Sequence, residues 1–254
     1  MSGTCIVTGA SRGIGRAVAL EAARAGFAVA VGFASRRDAA DEVVAAIRAN
    51  GGRAEAYACD VGKEADIQAL FEAAARLGPL RALVANAGIG HVGVCAKFDA
   101  QSLDRLFSVN VVGTMLCCRE AIRRMGRRKG GSGGAIVAMS SFAATTGGRG
   151  GVTAYAASKA AVDLFVTGLA REVAGEGIRV NAVRPGITRT DMTSRVFEDA
   201  KARADIDATI PIGRPAEPED VARAVCFLLS QGASYITGAH LDVSGGGFHF
   251  GRPS

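Results

Sequence analysis

Short runs of β-branched and other apolar residues alternate with alanine-rich stretches of helical period along the whole chain. Strands are predicted at 4–8, 28–33, 53–59, 82–85, 135–140, 179–183 and 240–243, and helices at 13–25, 37–50, 64–77, 103–124, 154–174 and 217–229. Most strand runs are apolar at consecutive positions rather than at alternate ones, the pattern of strands covered on both faces. Repeated strand, helix and strand then predict a parallel sheet with right-handed crossovers and helices on both sides. No proline-rich linker divides residues 1–254, so the chain reads as a single doubly wound α/β domain. Two stretches break the rhythm. Residues 126–134 (Gly-Arg-Arg-Lys-Gly-Gly-Ser-Gly-Gly) read as a mobile basic loop, and 188–211, weakly periodic, as a flap over a substrate.

Composition narrows the class. With 254 residues, 49% of them hydrophobic, the chain can bury a substantial core. No apolar run reaches the ~20 residues that span a bilayer. The first nine residues carry no charged leader before an apolar stretch, so the expected location is the cytoplasm. Six scattered cysteines without a Cys-x-x-Cys pair, beside three histidines, argue against a metal site and for buried, reduced thiols. The net charge of +6 favours anionic ligands. Its densest cluster is Arg123, Arg124, Arg127, Arg128 and Lys129. That cluster reads as a solvated helix end or as a docking patch for an acidic partner. Without a recognition motif or aromatic stacking array, nucleic acid is not an expected ligand.

Cys5-Ile-Val-Thr-Gly-Ala-Ser-Arg-Gly-Ile-Gly15 carries a buried strand into a helix through three glycines. Gly9 permits a tight turn, while Gly13 and Gly15 allow backbone and ligand to approach. The free amides and positive helix end suit a pyrophosphate. The Thr-Gly-x-x-x-Gly-x-Gly spacing differs from the usual dinucleotide fingerprint, and glycines after a strand are in other chains only a turn. After the second strand the chain reads Val31-Gly-Phe-Ala-Ser-Arg36-Arg37, with no acid to accept from a ribose hydroxyl. Arg36 and Arg12 would instead pair with a 2′-phosphate, which favours NADP(H) over NAD(H). Asp38 is the counterexample, although its position suits the first turn of the next helix.

Tyr155 and Lys159 are four apart on a predicted helix and share a face. An unperturbed phenol is almost wholly protonated at neutral pH, and a nearby ammonium would bring its proton affinity toward the range of acid–base catalysis. A lone Tyr-x-x-x-Lys is ordinarily a tyrosine beside a solvated lysine. Here it keeps company with Thr8–Gly15, Asn86-Ala-Gly88, Asn110, Ser140-Ser141 and Pro185-Gly186. Together, in this order and from about residue 4 to residue 247, these motifs resemble the short-chain dehydrogenase/reductase family. The branch they look most like contains 3-oxoacyl-carrier-protein reductases and glucose dehydrogenase-like proteins.

The resemblance implies a Rossmann-type sheet of seven parallel strands, a homotetramer, and a role for each matching residue. Tyr155 would exchange a proton with the substrate oxygen. Lys159 would lower the phenol pKa and bind the nicotinamide ribose. Ser141 would hydrogen-bond the substrate oxygen, and Asn110 would hold a water continuing the relay. Cofactor contacts fall to Gly9, Ser11, Arg12, Gly13, Ile14, Gly15, Arg36, Asp60, Val61, Asn86, Ala87, Gly88, Pro185, Gly186, Thr188 and Thr190, besides Tyr155 and Lys159. Ala85 stands where the family usually has asparagine. Ser140 competes with Ser141, and either threonine would also serve as a cap. Aspartates that end strands, like Asp60, are often caps too. His91 is expected to be a neighbour of the pocket, and Phe248 and Phe250 are candidates for packing across a subunit boundary. The substrate implied is a small carbonyl or alcohol, with a 3-oxoacyl thioester ahead of a simple ketone or a sugar. An acidic acyl-carrier protein is a candidate partner for the basic cluster. A cofactor-binding sensor or scaffold without catalysis is the other reading.

Overall fold

The computed structural model describes residues 3–148, 150–198, 204 and 206–247. Seven strands, β1 (Thr4–Val7), β2 (Ala28–Phe33), β3 (Ala54–Ala58), β4 (Leu80–Ala85), β5 (Gly134–Met139), β6 (Ile178–Pro185) and β7 (His240–Val243), form one sheet in the order β3-β2-β1-β4-β5-β6-β7. Every neighbouring pair is parallel. The chain winds outward from β1 to β3, then returns to place β4 on the other side of β1. Such a reversal opens a crevice beyond the carboxyl ends of β1 and β4.

The helices are α1 (Gly13–Arg24), α2 (Arg37–Ala49), α3 (Glu64–Ala74), α4 (Ala100–Phe107), α5 (Gly113–Met125), α6 (Ala143–Thr146), α7 (Thr153–Val173), α8 (Ser194–Glu198) and α9 (Pro218–Leu229). Alternation along the buried strands sends side chains to two cores. Val29, Val31, Val84 and Val137 meet Val18, Val43, Ile47 and Val225 of α1, α2 and α9. Ile6, Leu83 and Ile136 meet Leu70, Phe71, Cys117, Val162 and Val166 of α3, α5 and α7. This is the predicted doubly wound fold. None of the helices described is long and apolar enough to cross a membrane.

Local departures have physical causes. The helix expected at 103–124 begins at Ala100, because the Asp99 side chain accepts from the Ser102 amide at 2.8 Å and caps it. It is also interrupted: Ser108–Val112 form a π turn between α4 and α5. Within 188–211 the described residues include α8 and further helical residues at 204 and 206–207. Arg127–Lys129 form a short 3₁₀ turn inside the expected basic loop. Phe248, Phe250 and the rest of the C-terminus lie outside the described residues, as do 199–203 and 205 of the stretch expected to form a flap. Five of the six cysteines are buried as expected, and burial pushes Cys59, Cys118 and Cys226 up to about 12. Cys95 is exposed. Among the described residues no metal-binding cluster occurs.

Candidate active site

The predicted residues gather at the carboxyl ends of the strands. After β1, Gly9 has φ +62° and Gly13 φ +54°, conformations that only glycine adopts freely. A Cβ on Gly15 would overlap the Gly9 carbonyl and the Asn86 side chain, so α1 can approach the turn only with glycine there. Ile14 packs against the core behind the turn. The first turn of α1 has no capping side-chain bond and no acidic residue. Its orphan amides therefore face outward without a protein partner of that kind, which suits an anion.

Asn86 and Thr8 stitch β4 to this turn. Asn86 Nδ2 donates to the carbonyls of Thr8 (2.9 Å) and Gly9 (3.1 Å), and Thr8 Oγ1 accepts from the amides of Asn86 and Ala87, each at 3.0 Å. Thr8 was legible only as part of the motif, yet it holds two strand ends together. Gly88 comes next. A Cβ there would stand 3.3 Å from both Asn110 Oδ1 and Lys159 Nζ, so its missing side chain leaves the lysine approachable from the crevice.

Lys159 and Asn110 are buried. Lys159 Nζ donates to the Met139 carbonyl at 2.8 Å and lies 5.8 Å from the Tyr155 ring centroid. Burial lowers its pKa from 10.5 to about 8, with Asp163 opposing the change. Asn110 sits in the π turn, whose wider ring is a frequent feature of functional sites. Its side chain is spent on structure, accepting from the Ile89 amide (2.9 Å) and donating to the Ile89 carbonyl and Ser158 Oγ (each 3.0 Å). Thr114 Oγ1 bonds its carbonyl at 2.9 Å.

The two serines separate. Ser140 is buried and donates to the Lys159 carbonyl at 3.2 Å, a packing role. Ser141 accepts from the Ala143 amide at 3.1 Å and hydrogen-bonds the half-buried Tyr155 phenol. One expectation is corrected here. Burial is the larger influence on Tyr155 and pushes its phenol up, the Ser141 bond pulling the other way. The expected depression by Lys159 does not prevail: its amine is bonded to the Met139 carbonyl and stands 5.8 Å from the centroid of the phenol ring. Tyr155 is therefore held as a proton-bearing phenol.

Other matched positions carry protein bonds as well. Asp60 accepts two bonds of 3.0 Å from Arg105 of α4 and one from the Gly62 amide. Val61 is buried against Gly113. Arg36 pairs with Asp38, which stands in the first turn of α2 as expected. Arg12 reaches Asp191 at 2.8 Å, and Ser11 lies beside it in the turn. Pro185 accepts from the Phe142 amide, and Gly186 donates to Val243. Thr188 is buried and bonds the Gly186 carbonyl. Thr190 takes the cap option, exchanging bonds with Thr193, and its methyl faces Gly13 across the crevice. His91 stacks edge-on against Phe98 in the loop after Gly88.

A doubly wound sheet whose crevice presents an open helix end, a buried lysine and a phenol bonded to a serine defines a nucleotide-dependent oxidoreductase of the Rossmann type. Residues 9–249 match the family model described as enoyl-(acyl carrier protein) reductase. The chain is 45% identical over 243 residues to the uncharacterized oxidoreductase YgfF of Escherichia coli K12, covering 95% of this chain and 98% of that protein. It is 36% identical over 247 residues to 3-oxoacyl-acyl-carrier-protein reductase FabG of Staphylococcus aureus, covering 97% and 98%. Among solved structures, a 7α-hydroxysteroid dehydrogenase complexed with NADH and 7-oxoglycochenodeoxycholic acid superposes with a TM-score of 0.89, at 34% identity and coverage of 96% and 94%. A short-chain dehydrogenase of Burkholderia cenocepacia in complex with NADP gives 0.87, at 35% identity and coverage of 95% and 96%. The chain belongs to the short-chain dehydrogenase/reductase family.

Proposed function

We propose that this protein is an NADP(H)-dependent reductase that converts a ketone to a secondary alcohol, or runs the reverse, with Tyr155 exchanging the proton at the substrate oxygen. The observation that carries this reading is the meeting of Ser141, Tyr155 and Lys159 at the mouth of the glycine-lined crevice. The cofactor supplies the hydride. The amides of Gly9–Gly15 would hold its pyrophosphate, Asp60 and Val61 its adenine, Lys159 its nicotinamide ribose, and the Pro185–Thr190 segment its carboxamide. Asn86, Ala87 and Gly88 would line its path. Ser141 orients the substrate oxygen toward the phenol. Asn110 braces the Ile89 backbone, and its main-chain carbonyl, which also accepts from Thr114, would hold a relay water. Ser141→Ala is expected to lower kcat about a hundredfold. Ser140→Ala should instead cost about 1 kcal/mol of stability with kcat nearly kept. The opposite pattern would exchange their roles.

NADP(H) is preferred because the end of β2 offers Arg36 and no acid facing it from the strand, and the NADP-bound relative supports this choice. Arg36 is held by Asp38, so a 2′-phosphate would compete for it. Arg36→Ala should raise the KM for NADPH roughly tenfold while leaving that for NADH nearly unchanged. Equal changes for both cofactors would return the preference to NAD(H).

The side chains around the site favour an apolar ketone. Val92, Val94, Met192 and Ile212 are exposed. Val92 borders Gly151, Met192 borders Gly90, and Ile212 borders Gly245, while Phe142 of the Ser141 turn lies against Gly247. Such a rim would leave a sugar's hydroxyls without partners. The FabG relative supports a 3-oxoacyl thioester. A cofactor-consumption screen should rank that thioester above a small ketone and the ketone above a sugar. A sugar in first place would overturn this substrate choice, and no consumption with any class would favour a sensor or scaffold.

An acidic acyl-carrier protein as substrate carrier belongs to this reading, but the basic cluster is poorly placed to receive it. Glu120 takes Arg119, Arg123 and Arg124, and Glu176 takes Arg128. The cluster also ends α5 just before β5 begins, a strand length of roughly 20 Å from the site. Reversing Arg127, Arg128 and Lys129 should thus affect carrier-linked and free substrates equally. A homotetramer in the cytoplasm completes the proposal. Phe107, Val112 and Leu164 (37%, 49% and 75% exposed) offer an apolar face on α4, the π turn and α7. Sedimentation as a stable monomer would reject it.

A further inference from the structure

The buried face of α7 carries a second charged side chain behind Lys159. Lys159, Val162, Asp163, Val166, Ala170 and Val173 recur at helical spacing and are all buried. Asp163 therefore stands one turn beyond Lys159 on the same face. Helical side chains lean toward the helix N-terminus, which tilts the Asp163 carboxylate back over the Lys159 turn. A carboxylate in a packed interior is costly unless it is paired. A valine would serve the helix at this position equally well, so the acid calls for another explanation.

Its partners come from the adjoining strands. Arg184 of β6 donates through Nε to Asp163 Oδ2 at 2.8 Å, and Arg184 Nη1 lies 3.6 Å from Asp242 Oδ1 on β7. His240 Nε2 bonds the Asp163 backbone carbonyl at 2.9 Å, which requires the proton on that nitrogen, and stands 3.9 Å from Oδ1. Oδ1 is buried and has no hydrogen-bond partner among the described residues. The charges alternate from the crevice to the sheet edge: Lys159, Asp163, Arg184, Asp242. The last three sum to one negative charge, on the buried face of α7 that Lys159 shares.

Among the described residues, the other elements packed on α7 offer the amine no unpaired rival: Glu176, in the turn that follows the helix, is paired with Arg128. β5 and α6 carry no charged residue, and the π turn brings only Asn110. On α4, Asp104 is exposed and Arg105 is paired with Asp60. On α5, Arg119, Arg123 and Arg124 surround Glu120.

We propose that Asp163 is a positioning residue for the proton-transfer site: its carboxylate, oriented by Arg184 and Asp242, keeps the buried Lys159 amine charged through the neutral range. This rests on the role given to Lys159 above. The direction of Asp163's influence on that amine, opposing the effect of burial, agrees with it.

The test is a titration of Lys159 in the full-length protein labelled with 13C-lysine, its resonance identified by loss in Lys159→Arg. In Asp163→Asn the midpoint should fall by about one pH unit. In Asp163→Glu it should return to within a few tenths of a unit of the wild-type value. In Asp242→Asn it should move in the same direction by less, since Arg184 then draws fully on Asp163. The alkaline limb of kcat should follow each shift. An unmoved Lys159 midpoint in Asp163→Asn overturns the proposal. A moved midpoint with an unmoved rate profile upholds Asp163's effect on the amine and removes Lys159 from proton transfer instead. Should Asp163→Asn fail to fold, Asp242→Asn on the edge strand decides, and no shift there overturns the proposal.

Discussion

Tyr155→Phe should lose at least a thousandfold in kcat with the preferred ketone while binding NADPH within about threefold of the wild type. The substitution deletes one oxygen and keeps the ring, so the packing of α7 survives. What disappears is the group proposed to give the carbonyl oxygen its proton, and positioned acid–base groups contribute about 10²–10⁴-fold. Burial makes this effect one-sided. It pushes the phenol up and keeps the proton on oxygen over the neutral range, so reduction finds its donor loaded. Stopped-flow consumption of NADPH, beside a fluorescence titration of NADPH binding, separates the two quantities. Turnover within tenfold of the wild type would remove Tyr155 from the chemistry.

Lys159→Met should also abolish most turnover, by about 10² or more, and its stability should differ from the wild type in a pH-dependent way. The folded amine titrates at about 8 against 10.5 for an ordinary lysine. Between those values the unfolded chain holds a proton that the folded chain has released, so wild-type stability rises with pH across that window. Below about 8 the full penalty of burial stands, and at 1.36 kcal/mol per pH unit it amounts to about 3 kcal/mol. Methionine carries no such charge. Urea unfolding at pH 7 to 10.5 should show the wild type gaining about 3 kcal/mol on the variant as the pH rises. A constant difference would show that the amine is not strained by its site.

Much of this was readable in the chain. Apolar runs such as Ala28–Phe33 predict strands covered on both sides, and the sheet has β2 in its interior. The glycines at 9, 13 and 15 mark the turn that a side chain would block. Other features depend on neighbours that no local pattern announces. Residues 103–124 read as one uninterrupted apolar-periodic helix, and the π turn shows only where its two halves pack against different neighbours. Ser140 and Ser141 are identical as letters, and only the strand's end decides which faces the core. The balance at Tyr155 depends on how deeply a fold buries it. Asp163 stands four residues after Lys159, yet an acid on an apolar helical face reads as solvated until Arg184 and His240 are placed beside it.

The wide turn at Ser108–Val112 has a consequence of its own. An α-helix advances about 100° per residue, so removing one residue there would restore a regular spiral only by swinging one half of the rod about that far around its axis. Arg105 would then leave Asp60, or Cys117 and Cys118 would leave the sheet. The single surplus residue lets two halves of one rod answer to different neighbours, and Asn110 sits at the joint where their registers disagree.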